Sequence, residues 1–310
     1  MIGTEYTFIV GFLYIFFTSS ATECWEIIAQ SLIDTHSYHF FNGAFGEKWF
    51  NYTKKLCPYA IGYRFEVERE LRTSELDLST NEGIICITQN ETSNGTQVSN
   101  DRIKKIRKLY PNHLIAVDAT SSMAGISLDF QSADVWYASV QKCFGLPAGM
   151  AIMVCSPKAI DIAREKGENE HYNSLNFIIK NTELFQTPYT PNVLNIYLLK
   201  RTLENSKTIS EIDRKIRKVK AKHIALINRI KGLSLFVHNS QVLSDTVLTI
   251  KASEDVISQL HEKAEKAGII LGRGYGSNKM TTFRIANFPA IETKEIKVLH
   301  EFLKRLFEVD

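Results

Sequence analysis

Two residues at the ends of apolar runs carry the chemistry of this sequence. Residues 114–117 (LIAV) lead straight into Asp118. Residues 134–139 lead toward Lys142, which opens a Gly/Pro-rich turn ending at Gly149. A short apolar run bounded by turn residues reads as a buried strand, so Asp118 lies at a strand's C-terminal end. In open α/β sheets that edge faces the ligand crevice. A lysine there can form a Schiff base when its surroundings depress its pKa. An acid and a lysine on neighbouring strand ends are what pyridoxal phosphate requires: the lysine holds the aldehyde carbon, and the acid keeps the pyridine nitrogen protonated so that the ring accepts electrons. Neither residue means much alone. An Asp after a strand is more often a helix cap, and an isolated lysine more often a surface residue.

The elements that must position this pair follow from hydrophobic periodicity. A strand is expected over 12–17, ending in Thr18-Ser19-Ser20. A helix follows, with Trp25, Ile28, Ala29 and Leu32 on one face and the capping-box spacing of Ser20 and Glu23 at its start. Residues 84–88 form a strand, 101–110 a basic amphipathic helix (Ile103, Ile106, Leu109), and 114–117, 134–139 and 151–155 further strands. Strands alternating with helices predict an α/β fold with a mainly parallel sheet. The pattern changes near residue 190. Helices are expected over 193–203 and 210–231, the second with Ile212, Ile216, Val219, Ile227 and Ile230 near one face. Strands follow over 234–238 and 246–251, then a helix over 254–267 stopped by Gly268. Strands near 269–271 and 282–286 and a helix over 293–308 complete the chain. The expected division is a large domain over 1–195 and a smaller C-terminal α+β domain over 196–310.

Composition narrows the class. The 310 residues are 44% hydrophobic and 23% charged, which excludes a collagen, a disordered tail and a polytopic membrane protein. A net charge of +3 does not by itself imply nucleic acid as a partner. The basic runs at 104–108 and 214–222 read as solvated helix faces. Five widely spaced cysteines without a CxxC read as reduced thiols of a cytoplasmic protein. The sequons at Asn51, Asn90 and Asn94 are then coincidental. No HExxH or paired CxxC occurs, the eight histidines form no ligand pattern, and no metal is expected. Gly272, Gly274 and Gly276 only partly imitate a dinucleotide loop. The apolar run 8–17 lacks a preceding basic segment, so it is no secretory signal. It is also half the length of a membrane span and reads as a buried strand, with a membrane-associated segment as the alternative; no membrane partner is expected.

The segment WYASVQKCFGLPAG, the 24-residue spacing from Asp118 to Lys142, and QNETSNG at 89–95 resemble the class V aminotransferases of the fold-type I pyridoxal-phosphate enzymes. Within that class the chain is similar to the phosphoserine aminotransferases, from about Ile15 to its C-terminus. The resemblance implies a large cofactor domain, a small C-terminal domain and a homodimer using pyridoxal 5'-phosphate. It implies that Lys142 is the Schiff-base lysine and proton carrier, that Asp118 pairs with the pyridinium, and that Thr92 hydrogen-bonds the cofactor's phenolic oxygen. Gln141 and the turn Ser20-Ala21-Thr22 would hold the phosphate, as free N–H groups at a helix N-terminus favour an anion. Phe45 would stack on the ring, where the family often has Trp. Gln186 and Thr187 resemble the pair that reaches the partner subunit's phosphate. Arg284 matches the arginine that grips the substrate α-carboxylate, and Arg273 is a candidate for the substrate's other anionic group.

The expected activity is transfer of an amino group between phosphoserine and 2-oxoglutarate, with amino and 2-oxo acids as small-molecule partners. Another class V reaction, of the alanine–glyoxylate or serine–pyruvate type, remains open. Cysteine desulfuration is disfavoured, because desulfurases carry His where Gln141 and Phe45 stand. Family members have several dozen residues before the strand leading to the phosphate turn. A chain lacking them, with impaired turnover, is a further expectation.

Overall fold

The computed structural model describes residues 13–72, 78 and 83–309. Residues 8–12 of the apolar run lie outside them. The chain order is β1 (Tyr14–Thr18), α1 (Ala21–Ser31), β2 (His36–Phe41), α2 (Ala44–Leu56), β3 (Ala60–Arg64), β4 (Gly83–Thr88), the short pair β5 (Asn90–Glu91) and β6 (Thr96–Gln97), α3 (Asn100–Leu109), β7 (Leu114–Asp118), β8 (Val135–Ser139) and β9 (Ala151–Cys155). Then come α4 (Pro157–Lys166), α5 (Leu175–Glu183), α6 (Val193–Asn205), α7 (Ile209–Ile227), β10 (Ser234–Leu235), β11 (Val247–Lys251), α8 (Glu254–Lys266), β12 (Gly272–Arg273), β13 (Thr282–Ala286) and α9 (Thr293–Leu306).

A seven-stranded sheet runs β1-β9-β8-β7-β4-β2-β3. Neighbours from β8 through β3 pair in parallel, whereas β9 is antiparallel to both β8 and β1. The central strands β4 and β7 are apolar along their length because both faces are covered. Ile84, Cys86, Leu114 and Ala116 face one core with α1 and α5, and Ile85, Ile87, Ile115 and Val117 face the other with α3. This is the α/β architecture, with a mainly parallel sheet, that the sequence leads one to expect. A four-stranded antiparallel sheet, β10-β11-β13-β12, packs with α8 and α9 around a third core.

The register sets out the functional edge. Thr88 pairs with Asp118 and Asp118 with Tyr137, and Ser139 and Thr18 both pair with Ala151. The C-terminal ends of β1, β4, β7 and β8 therefore open along one rim.

Several expectations need correction. Ser20 does cap α1, accepting the Glu23 N–H at 3.1 Å, but Glu23 reaches back to Ser19, whose N–H and hydroxyl it accepts at 2.6 and 2.7 Å. Leu109, expected on a buried face, is 63% exposed, because α3 ends there and the chain turns away. The strand expected over 234–238 shrinks to β10, and the one near 269–271 is displaced to β12. The five cysteines are free and buried, and burial pushes the thiols of Cys24, Cys86, Cys143 and Cys155 up. Asn90 and Asn94 are buried too. Among the described residues no helix is long and apolar enough to cross a membrane, and no group of three or more His, Cys, Asp or Glu is placed to hold a metal.

A histidine pair joins α7 to α9: His300 Nε2 lies 2.9 Å from His223 Nδ1, with their rings edge to face. Burial, and next the neighbouring His300 charge, lower His223 from its ordinary value of 6.5 to about 4. Burial lowers His300 as well, helped by the charges of Lys222 and Lys304. His223 therefore binds its proton more weakly in the fold than in the unfolded chain. Its contribution is fully present above the unfolded pKa and is lost as pH falls from 6.5 toward about 4. We expect the urea midpoint to drop across that window by the equivalent of about 3 kcal/mol, and the drop to shrink in His223→Gln. An unchanged profile in the variant would assign the acid sensitivity elsewhere.

Candidate active site

The rim holds a cavity of about 410 Å³ lined by α1 (Ala21, Thr22, Trp25), α2 (Phe45, Lys48, Tyr52) and the strand ends (Thr88, Asn90, Thr92, Asp118, Thr120, Ser139, Gln141, Lys142). Asp118 forms part of it. Its Oδ1 accepts the Thr120 N–H at 2.9 Å, and among the described residues no Lys, Arg or His forms an ion pair with it. Burial raises its pKa to about 6; the hydrogen bond from the Thr120 N–H opposes the rise and Glu91 adds to it. The nearby Thr88 hydroxyl is buried without a hydrogen-bond partner.

Lys142 stands three residues beyond β8. Gly145 N–H closes the turn onto its carbonyl at 3.0 Å, with the left-handed φ of +71° at Gly145 that glycine tolerates. Burial lowers the Lys142 pKa, the Arg284 charge lowers it further, and Cys143 acts against both. Lys142 and Thr92 also border a second cavity of about 640 Å³, which contains Arg284, Phe288 and Lys294. Arg284 donates from Nη1 to the Thr92 carbonyl at 2.8 Å and from Nε to the Arg273 carbonyl at 2.8 Å. It therefore faces the site with its fork held by backbone oxygens. The Thr92 and Ser121 hydroxyls hydrogen-bond each other.

The anchoring of α2 has no counterpart in local sequence pattern. Glu91 is buried, and its Oε2 accepts the N–H groups of Phe45 (3.1 Å) and Gly46 (3.0 Å). Its Oε1 accepts the N–H (3.0 Å) and hydroxyl (2.6 Å) of Ser93. One carboxylate thus fills the helix N-terminus and sets the height of Phe45 above the strand ends. A Cβ on Gly43 would meet Glu91 Cγ at 2.4 Å, so this close approach requires glycine. Asn90 ties the rim to the other sheet, donating to the Thr246 hydroxyl at 3.0 Å and accepting from Ser244 at 2.6 Å.

The fold gathers Ala21, Thr22, Phe45, Thr92, Asp118, Gln141 and Lys142 in one cavity and puts Arg284 in the adjoining one. Ser20 caps α1 just behind the lining. Three expected residues lie elsewhere. Arg273 is exposed and borders neither cavity; only its carbonyl takes part, while its charge acts on His261 of α8. On the two-residue strand β12 the side chain of Arg273 falls on the opposite face from the Arg284 contact. Gln186 and Thr187 line a separate groove of about 980 Å³ with Ile15, Phe17 and Phe185. Lys48, Thr88, Glu91, Thr120, Ser139 and Tyr275 were not anticipated. Sequence spacing offers a signal for Lys48 alone, which with Phe45 and Tyr52 follows the i, i+3, i+7 face of α2.

These residues fit pyridoxal phosphate. A buried carboxylate without a cation suits a protonated ring nitrogen, a partly buried amine suits its aldehyde, an aromatic side chain suits its face, and a helix N-terminus suits its phosphate.

The comparisons agree. The family description "Aminotransferase class-V" matches residues 61–286. Phosphoserine aminotransferase from Corynebacterium glutamicum (strain R) is 26% identical over 306 residues, covering 93% of this chain and 78% of that protein. The Rhodococcus opacus (strain B4) phosphoserine aminotransferase matches to the same extent, also 26% identical over 306 residues. The crystal structure of a phosphoserine aminotransferase from Cytophaga hutchinsonii superposes with a TM-score of 0.89 at 29% identity, covering 96% of this chain and 84% of that one. An alanine–glyoxylate aminotransferase from Nostoc sp. shares the fold, with a TM-score of 0.83 at 16% identity. The chain belongs to the class V aminotransferase family of pyridoxal-phosphate-dependent transaminases, and within it is phosphoserine-aminotransferase-like.

Proposed function

We propose that this protein transfers the amino group between O-phosphoserine and 2-oxoglutarate, as a homodimer in the cytoplasm. The observation that carries the reading is Asp118, buried without a cationic partner among the described residues and lining one cavity with the amine of Lys142. Pyridoxal phosphate, when bound, supplies the electron sink that makes the substrate's α-proton acidic. Lys142 would hold it covalently through Nζ, and as a neutral amine would accept and carry the substrate's α-proton. A lowered lysine pKa favours that neutral amine. Asp118 would hold the ring nitrogen's proton, Thr92 the phenolic oxygen, and Ala21, Thr22, Gln141 and the Ser20-capped helix end the phosphate. Phe45 would cover the ring. Arg284 would orient the α-carboxylate, since it opens on the cavity that Lys142 shares. Gln186 and Thr187, outside the Lys142 cavity, would serve the partner subunit's site.

The test is spectroscopic. Protein loaded with pyridoxal phosphate is mixed with single amino acids, and the visible band of the bound cofactor is followed. O-phosphoserine and glutamate should abolish the band, and alanine, serine and cysteine should do so far more slowly. A preference for alanine or serine would replace this substrate assignment with another class V transamination.

A further inference from the structure

Lys48 sits at the mouth of the cofactor cavity, on the same face of α2 as Phe45 and Tyr52. Its Nζ donates to the hydroxyl of Tyr275, which arrives from the loop after β12, 227 residues away in sequence. The ammonium also lies 5.6 Å from the centre of the Phe45 ring and 5.0 Å from that of Tyr275, and the two rings are 5.4 Å apart. Two aromatic faces and a phenol oxygen position the charge without neutralising it. The nearest acids on its own helix and beneath it are engaged elsewhere. Glu47 pairs with Arg64 at 3.1 Å, and the two oxygens of Glu91 accept four donors. Among the described residues no carboxylate forms an ion pair with Lys48.

A cation held in place, facing an anionic ligand's route and lacking a counter-ion, is an anion receptor. We propose that Lys48, oriented by Tyr275 and Phe45, receives the distal anion of the amino-acid substrate, a phosphate monoester or a side-chain carboxylate, while Arg284 holds the α-carboxylate. The assignment rests on the transamination reading above and adds a specificity-determining residue to it. The two cations come from different parts of the fold, so a substrate with anions at both ends engages α2 and β13 together.

The experiment compares Lys48→Met and Lys48→Arg with the wild-type, pyridoxal-phosphate-loaded protein. Losing a charge-assisted contact predicts a KM for O-phosphoserine and for glutamate raised ~10- to 100-fold in Lys48→Met, with kcat little changed. The KM for alanine, which has no distal anion, should stay within about twofold. Lys48→Arg should restore most of the loss. An effect on only one of the two substrates would support the receptor and identify which anion it serves. Calorimetric binding of glutarate, which carries two carboxylates but no reacting group, should weaken in Lys48→Met in parallel and become weaker with added salt. Equal losses for alanine and O-phosphoserine would reduce Lys48 to a structural clasp and overturn the proposal, as would wild-type kinetics and glutarate binding in Lys48→Met. If the wild-type protein converts alanine but neither anionic substrate, the phosphoserine reading fails. Glutarate then decides Lys48 by itself: binding that needs Lys48 sustains the receptor, and binding that does not overturns it.

Discussion

Lys142→Ala is expected to abolish the visible band formed with pyridoxal phosphate and to slow amino transfer by about a thousandfold or more, the scale on which a positioned acid–base group acts. Both losses follow from one side chain. Lys142 contributes the amine among the lining residues of the cofactor cavity and also borders the cavity of Arg284, so it lies between the two expected ligands. The other amine in the lining of the cofactor cavity, Lys48, is engaged at the mouth with Tyr275. The pH dependence adds a second signature. Burial first, and the Arg284 charge second, hold Lys142 below its ordinary value of 10.5. The neutral amine is the reactive form, so the rate of cofactor attachment should rise with pH and level off earlier than an exposed lysine allows. Arg284→Gln should move that limb to higher pH, because it removes one of the two depressing causes. A persistent visible band in Lys142→Ala, or a limb at the ordinary lysine position, would show that another group anchors the cofactor.

Asp118→Asn is expected to separate stability from function. The fold raises the Asp118 pKa from 3.8 to about 6, chiefly by burial. A folded-state pKa above the unfolded value means that the protein without cofactor holds this proton more tightly than the unfolded chain does. Its stabilising contribution is present below pH 3.8 and is lost as pH rises through about 6. At pH 8 the buried charge therefore costs on the order of 3 kcal/mol. Asn removes the charge and keeps an oxygen for the Thr120 N–H, so the variant should melt higher by several degrees at pH 8 without cofactor. Cofactor addition should then raise the wild-type melting temperature and shift the variant's much less, because the variant lacks the charge that pairs with the ring nitrogen. Amino transfer should fall roughly a hundredfold to a thousandfold, the size of a lost buried electrostatic partner. A variant no more stable than wild type at pH 8, with an undiminished response to cofactor, would remove Asp118 from this role.

Both predictions concern residues that were legible in the sequence, and the reason is local. Asp118 and Lys142 follow strands that are apolar on both faces, so their positions at the strand ends follow from the runs themselves. The N-cap at Ser20 was legible for the same reason, since a cap is a contact between residues three apart. Elements whose strands mix polar and aromatic residues escaped notice. β2 reads HSYHFF, yet all but its first residue are buried. His39 is tolerated there because burial keeps its ring neutral, with a pKa of about 3, beside the Ser37 hydroxyl at 3.2 Å. No alternation exposes such a strand, because the face it needs comes from Trp49 and Phe50 on α2.

Local pattern specifies the α/β class, the strand ends that carry the acid and the amine, and the helix N-terminus beside them. Each depends on neighbours within a few residues, where apolar period and capping chemistry act. The tertiary structure decided the remainder of the site. Glu91 is an ordinary acidic residue until the fold brings Phe45 and Gly46 to it from 46 and 45 residues away. Arg284 gains its orientation from the Thr92 carbonyl across 192 residues. Arg273 and Arg284, alike in sequence as candidate anion grips, were separated by the register of β12 on β13, which turns one toward the cavity and the other toward α8. Contacts of this kind arise from chain closure and sheet pairing, and local composition does not encode their partners.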